Sequence, residues 1–274
     1  MKKYLAIAMA ALLLVCSLAS CAGGNNGDIG NYAPEVDYLI TEKGTFYFEE
    51  AEGETAILVK YVGKATSGDH VEVPATFGDR TVTAIGKQAF YNLSAIVEIT
   101  IPDSVTVIDD YAFARCTELT ELKLPAGLLT IGEGAFLECT KLEKADLGKS
   151  VEIIDEKAFY GCSALVDIPL PSSLKTIGKA AFTLCGSLTS LNVPASVETI
   201  GELAYTDCFK LESITIANAN AEIGSHAFEN SDGTNFKDKF VVDGLAEDSK
   251  VLKYINALSD TPVVPETEAV TEAE

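Results

Sequence analysis

The side chains in this chain best suited to chemistry are its 7 cysteines. Five of them, Cys116, Cys139, Cys162, Cys185 and Cys208, follow one another at intervals of 23 residues, and Cys16 and Cys21 lie near the amino end. Thiols in a file could form disulfides, hold a metal or act as nucleophiles. Stacked strands lie about 4.8 Å apart, which does not forbid a bridge between neighbouring units. Equivalent side chains in stacked units point the same way, however, and five cannot pair completely. No CxxC pair is present, and only His70 and His226 could complete a zinc site. The file is expected to be buried free thiols, packing as small apolar groups with a weak donor; paired or redox-active thiols are the alternative. No GxSxG, HExxH or Walker loop occurs. His226 is read as a surface residue, and His70 as part of a polar loop, Ser67-Gly68-Asp69-His70. No catalytic residue, metal or cofactor is expected, and the chain is not read as an enzyme.

The spacing belongs to a larger pattern. Units start at Ile85, Ile108, Ile131, Ile154, Ile177, Ile200 and Ile223 without one insertion. Such a period signals coils that stack and bury a core no single unit could bury. Position 2 is Gly or Asp throughout, from Gly86 and Asp109 to Gly224, which suits a cap or a permissive backbone. Position 5 is always alanine (Ala89 to Ala227), and position 6 is aromatic: Phe90, Phe113, Phe136, Phe159, Phe182, Tyr205, Phe228. With cysteine at position 9, this stretch predicts a short helical turn with alanine and cysteine facing inward. The aromatic file is expected to be a core spine.

The period then changes. Leu119, Leu122 and Leu124 match Ile96, Ile99 and Ile101 one unit earlier, and the last two of each trio alternate as a strand with one buried face. Pro102, Pro125, Pro171 and Pro194 end that strand, because proline cannot donate to a ladder. A short extended return through Val105, Leu128 or Val197 leads to the next isoleucine.

The pattern Leu-x-x-Leu-x-Leu-Pro-x-x-Leu-x-x-Ile-Gly-x-x-Ala-Phe-x-x-Cys resembles the BspA-like leucine-rich repeats of bacterial surface proteins. Leu119 to Cys139, LTELKLPAGLLTIGEGAFLEC, shows it well, and the resemblance spans about Val71 to Phe228. It implies a leucine-rich-repeat solenoid, β-rich with short helical turns, its 23-residue coils stacked into a curved array with a concave parallel sheet and terminal caps. Ala145 and Gly148, Pro169, and Ala217 with Asn220 depart from the pattern in the third, fourth and sixth copies. Residues 35–84 are expected to form an amino-terminal β cap and a degenerate first repeat, 85–235 the repeats, and 236–258 a closing cap with a helix near Val251 to Leu258.

The chain ends read differently. Lys2 and Lys3 precede an apolar run, Leu5 to Val15, too short to span a bilayer. Leu18-Ala19-Ser20-Cys21 resembles the lipobox of bacterial lipoproteins, which implies cleavage before Cys21 and acylation of its thiol; Cys16 follows branched Val15 and fits poorly. Residues 1–20 are therefore expected to be a signal peptide, 21–34 a lipidated cysteine with a Gly- and Asn-rich tether, and 259–274 a disordered acidic tail. The localisation this implies is the bacterial cell envelope, with the protein lipid-anchored and surface-exposed. The formal net charge of −21 repels a phosphate backbone, so nucleic acid is not an expected partner.

A stacked sheet offers a binding face. Its outward columns run Glu98, Glu121, Lys144, Asp167, Ser190, Ser213 and Thr100, Lys123, Asp146, Pro169, Asn192, Thr215. Glu98, Thr100, Glu121, Lys123, Lys144, Asp146 and Asn192 are the candidate binding residues, though the columns lack the aromatic anchors common in protein interfaces. The reading is a monomeric, membrane-anchored module that binds proteins or cell-surface macromolecules, since some members of the resembling family adhere. A structural envelope scaffold without a ligand is the alternative, and a solute-binding lipoprotein, which needs two lobes around a cleft, a weaker one.

Overall fold

Isoleucine, valine and threonine recur where the chain returns to each new coil, and these β-branched types suit a pleated surface. In the computed structural model, which describes residues 36–63, 69–241 and 245–258, they form a parallel ladder. The expected signal, tether and tail (1–20, 21–34 and 259–274) lie outside the described residues. The strands are β6 (Arg80–Ile85), β8 (Val107–Ile108), β10 (Thr130–Ile131), β12 (Ile153–Ile154), β13 (Thr176–Ile177), β15 (Thr199–Ile200) and β17 (Glu222–Ile223). Each pairs with the same residues one unit on, as in Ile131 with Ile154. An antiparallel meander, β1 (Asp37–Ile40), β2 (Gly44–Ala51) and β3 (Thr55–Gly63), joins this ladder through β3 and β6, and β5 (Thr76–Phe77) adds a hairpin, giving an 11-stranded sheet. The fold is a β-solenoid of about 7 coils of roughly 23 residues.

The Leu-x-Leu strands lie on another wall, and that wall is interrupted. β4 (Asp69–Glu72) pairs with β7 (Ile96–Thr100), β9 (Glu121–Lys123) with β11 (Lys144–Asp146), and β14 (Ser190–Val193) with β16 (Ser213–Ile216), as separate two-stranded sheets. In the fourth coil only an isolated bridge, Lys144 to Asp167, continues the wall. Pro169 stands there without an N–H to donate. The continuous sheet is thus carried by the short return segments.

The segments expected as helical turns are hydrogen-bonded turns with no regular helix across them. Within a coil, Ala89 N donates to Gly86 O at 3.1 Å and Tyr91 N to Gln88 O at 3.1 Å. The intervening donors point at the next coil: Gln88 N to Asp110 O at 3.0 Å, Phe90 N to Ala112 O at 2.7 Å and Asn92 N to Ala114 O at 2.8 Å. This alternation needs left-handed residues at positions 4 and 8. Gln88 (φ 57°), Tyr111 (φ 54°), Lys157 (φ 55°), Leu203 (φ 60°) and His226 (φ 56°) all supply it at position 4. A left-handed residue with a side chain costs roughly 1–2 kcal/mol, and the inter-coil bonds offset it. Position 2 glycines serve close approach: a Cβ on Gly178 would lie 2.5 Å from the carbonyl carbon of Asp155.

The interior is filled column by column. Phe90, Phe113, Phe136, Phe159, Phe182, Tyr205 and Phe228 stack face to face, with adjacent centroids 4.9 to 5.4 Å apart. Tyr61 extends the stack at the amino end, and Phe240 and Tyr254 close it edge-on at the other. Helix α1 (Lys250–Ala257) turns buried Val251 and Ile255 onto the last coil. Its first turn is capped by Ser249, whose hydroxyl accepts from Leu252 N at 3.2 Å. Tyr254 Oη accepts from Phe228 N at 3.3 Å, so a side chain satisfies a donor that has no further coil to meet.

Candidate binding face of the solenoid

The thiol file is buried. Each Sγ donates to the carbonyl of the position-6 aromatic one coil earlier: Cys116 to Phe90, Cys139 to Phe113 and Cys162 to Phe136 at 3.2 Å, Cys185 to Phe159 and Cys208 to Phe182 at 3.3 Å. All five are free thiols. Burial pushes Cys116 and Cys208 up to about 12, and Cys139, Cys162 and Cys185 well above the ordinary thiol value. A protonated, enclosed thiol is neither nucleophile nor metal ligand. Among the described residues no group of three His, Cys, Asp or Glu is arranged to hold a metal.

Chemistry that faces solvent is on the Leu-x-Leu wall. Leu122, Ala145, Leu191 and Ile214 point inward and are buried, which sends their neighbours outward. Glu98, Thr100, Glu121, Lys123, Lys144, Asp146 and Asn192 are all exposed. Register sets Glu121 beside Lys144, with Nζ to Oε1 at 3.8 Å, and Lys123 beside Asp146. Asn192 sits beside Thr215 in a separate pair, cut off from the acidic and basic rungs by the fourth coil. Glu98 and Thr100 thus lie one coil before the Glu121–Asp146 group, and Asn192 stands apart on the same wall.

The sequence reading missed the neighbours of Glu98 and Thr100. His70 lies on β4, not on a loop: its Nδ1 is 2.9 Å from Glu98 and its Nε2 3.1 Å from Thr100 Oγ1. Val71-x-Val73-Pro74 repeats the Ile99-x-Ile101-Pro102 pattern, the signal that would have placed His70 on a strand. A cleft of about 580 Å³ opens here, between the β1–β2 turn (Thr41, Glu42, Lys43) and the residues His70, Glu72 and Thr100. His226 is exposed and paired with Glu229 at 3.2 Å.

Lateral ion pairs tie successive coils outside this wall. Lys87–Asp110 (3.2 Å), Arg115–Glu138 (2.8 Å), Lys175–Glu152 and Lys179–Glu202 (both 2.7 Å) each join residues one period apart. Exposed pairs contribute about 0–1 kcal/mol each, so they tune the register more than they hold the coils.

Known proteins place the fold. No curated protein matches the chain. A leucine rich repeat protein of T. pallidum is 29% identical, with a TM-score of 0.62 over 73% of this chain and 87% of the other. A leucine rich cell surface protein of Faecalibacterium prausnitzii A2-165 is also 29% identical at a TM-score of 0.62, and a leucine-rich repeat protein of Eubacterium ventriosum is 26% identical at 0.60. The similarity spans 53% and 50% of those two longer chains. The BspA type leucine rich repeat profile matches in 6 copies over residues 74–151 and 130–240. With more than half of its length so matched, and with the coils, spine and thiol file in register, the chain belongs to the BspA type leucine-rich-repeat family.

Proposed function

We propose that the protein is a surface-displayed, lipid-anchored module that binds other proteins through the Leu-x-Leu wall. One observation carries this reading. Interior columns stay apolar from coil to coil, whereas an exposed column changes charge and size along the wall, from Glu98 and Glu121 through Lys144 and Asp167 to Ser190 and Ser213. Residues that fill a core must repeat; residues that only meet solvent or a partner are free to encode one. The likeness to a cell surface protein of Faecalibacterium prausnitzii supports display outside the cell. Leu18-Ala19-Ser20-Cys21 supplies the attachment point, acylation at Cys21, and two or more acyl chains would anchor the chain stably.

Two measurements test this. Replacing Glu98, Thr100, Glu121, Lys123, Lys144, Asp146 and Asn192 with alanine leaves the melting transition in place and abolishes saturable capture of partner proteins from a cell-surface extract. Unchanged capture would assign the wall to a scaffold that only spaces the surface. Cys21→Ser moves the protein from the detergent phase to the aqueous phase; unchanged partitioning removes the anchor.

A further inference from the structure

We propose that the cleft at the amino-terminal end of the Leu-x-Leu wall takes a lysine or arginine side chain on an extended segment of a partner protein. The inference rests on the protein-binding reading above and gives that partner a chemistry.

Three features converge. The cleft has an apolar lining from Phe46, Val73, Pro74, Ala75 and Pro102, which suits the aliphatic stem of a long basic side chain. Its rim carries Glu42 and Glu72, whose carboxylates have no ion-pair partner among the described residues, while Lys43 also lines it. Glu98 adds a third carboxylate beside the rim, where it holds His70 at 2.9 Å. A guanidinium or ammonium head entering here meets charge-assisted acceptors. Finally, β4 pairs only with β7 among the described residues, and its other edge, which no described strand occupies, is the position an added strand would take. An extended peptide on that edge would present alternate side chains to the cleft, and the net charge of −21 steers a basic segment toward it.

The test uses the full chain in about 0.15 M salt, where long-range attraction is largely screened, and fluorescein-labelled peptides of alternating valine and lysine or valine and glutamate. The lysine peptide gives saturable anisotropy and the glutamate peptide none. The double variant Glu42→Gln, Glu72→Gln weakens the lysine peptide by about tenfold or more, and Ala75→Trp, which fills the cleft, does the same. Glu198→Gln with Glu212→Gln removes the same charge elsewhere and leaves affinity within about twofold. Equal weakening by both double variants, or no saturable binding of the lysine peptide, overturns the inference. Where partner capture is still lost on substituting Glu121, Lys123, Lys144 and Asp146, the wider protein-binding reading survives that failure; where capture also persists, both fall.

Discussion

Two walls of one coil carry the same period and opposite character. The return wall is continuous from β3 to β17, and its outward row reads Ile57, Ala84, Val107, Thr130, Ile153, Thr176, Thr199 and Glu222, uncharged until that last rung. The Leu-x-Leu wall is broken at the fourth coil, and its outward rows carry Glu98, Glu121, Lys123, Lys144, Asp146 and Asp167. Continuity and chemical variety are divided between them. The β-branched row keeps strands in register and its sequence scarcely changes. Freed from closing the solenoid alone, the other wall tolerates Pro169, charge reversals and a cleft. Function is therefore sought on the wall whose strand pairing is interrupted and whose outward residues vary.

Both walls enclose the thiol file, so the largest expected effect is one that strikes them together. The thiols of Cys116 and Cys208 stand near 12 in the fold against an ordinary 9.0, with burial as the cause. A raised value means that the folded state keeps protons the unfolded chain releases. The stabilisation is full below pH 9.0 and is lost as pH rises from there toward about 12. In that window each thiol lowers stability by about 1.4 kcal/mol per pH unit. Urea titrations across alkaline pH should show one steep loss of both walls at once, with a shallower slope in Cys162→Ala. A flat profile would mean that the file is open to solvent.

Proline separates the walls directly. Thr176 N donates to Glu152 O at 3.2 Å within the continuous ladder. Thr176→Pro removes that donor from a central strand and costs about 1–3 kcal/mol. Asp167→Pro, beside Pro169 in the interrupted wall, costs about 1 kcal/mol or less, since that strand already accommodates proline. Chemical denaturation of the two variants measures the difference. Equal losses would erase the distinction between a load-carrying wall and a permissive one.

What could be read from the sequence follows from what repeats. The isoleucines from Ile85 to Ile200, the phenylalanine file and the cysteine file recur at fixed positions because a stacked core forces them to, and the structure buries them as read, while Ile223 in the last coil is half-buried. The turn geometry was hidden. Its left-handed position 4 is filled by Gln88, Tyr111, Lys157, Ala180, Leu203 and His226, residue types with no common preference for that conformation, and only Gly134 at that position, with Gly161 at position 8, signals it. Two-residue strands such as Thr130–Ile131 are too short to show an alternating pattern, so the continuous sheet was assigned to the longer Leu-x-Leu runs. The cleft was missed because the first coil is longer than its successors. Val71 pairs with Ile99 outside the 23-residue register, and His70 thereby lost its strand neighbours on paper.

The smallest effect lies on the axis between the walls. Tyr205 occupies the phenylalanine column, stacked at 5.1 Å on Phe182 and 5.3 Å on Phe228, and its buried hydroxyl has no hydrogen-bond partner among the described residues. Burial, with smaller contributions from the neighbouring Cys208 and Cys185, raises its ionisation well above the ordinary phenol value. A buried hydroxyl left unpaired costs about 1–3 kcal/mol of desolvation, and every other coil in the file carries phenylalanine there. Tyr205→Phe should thus raise stability by about 1 kcal/mol, read as a higher melting temperature. A loss of stability would instead show that the hydroxyl holds a buried water, which ties the sixth coil to its neighbours by a contact absent from the others.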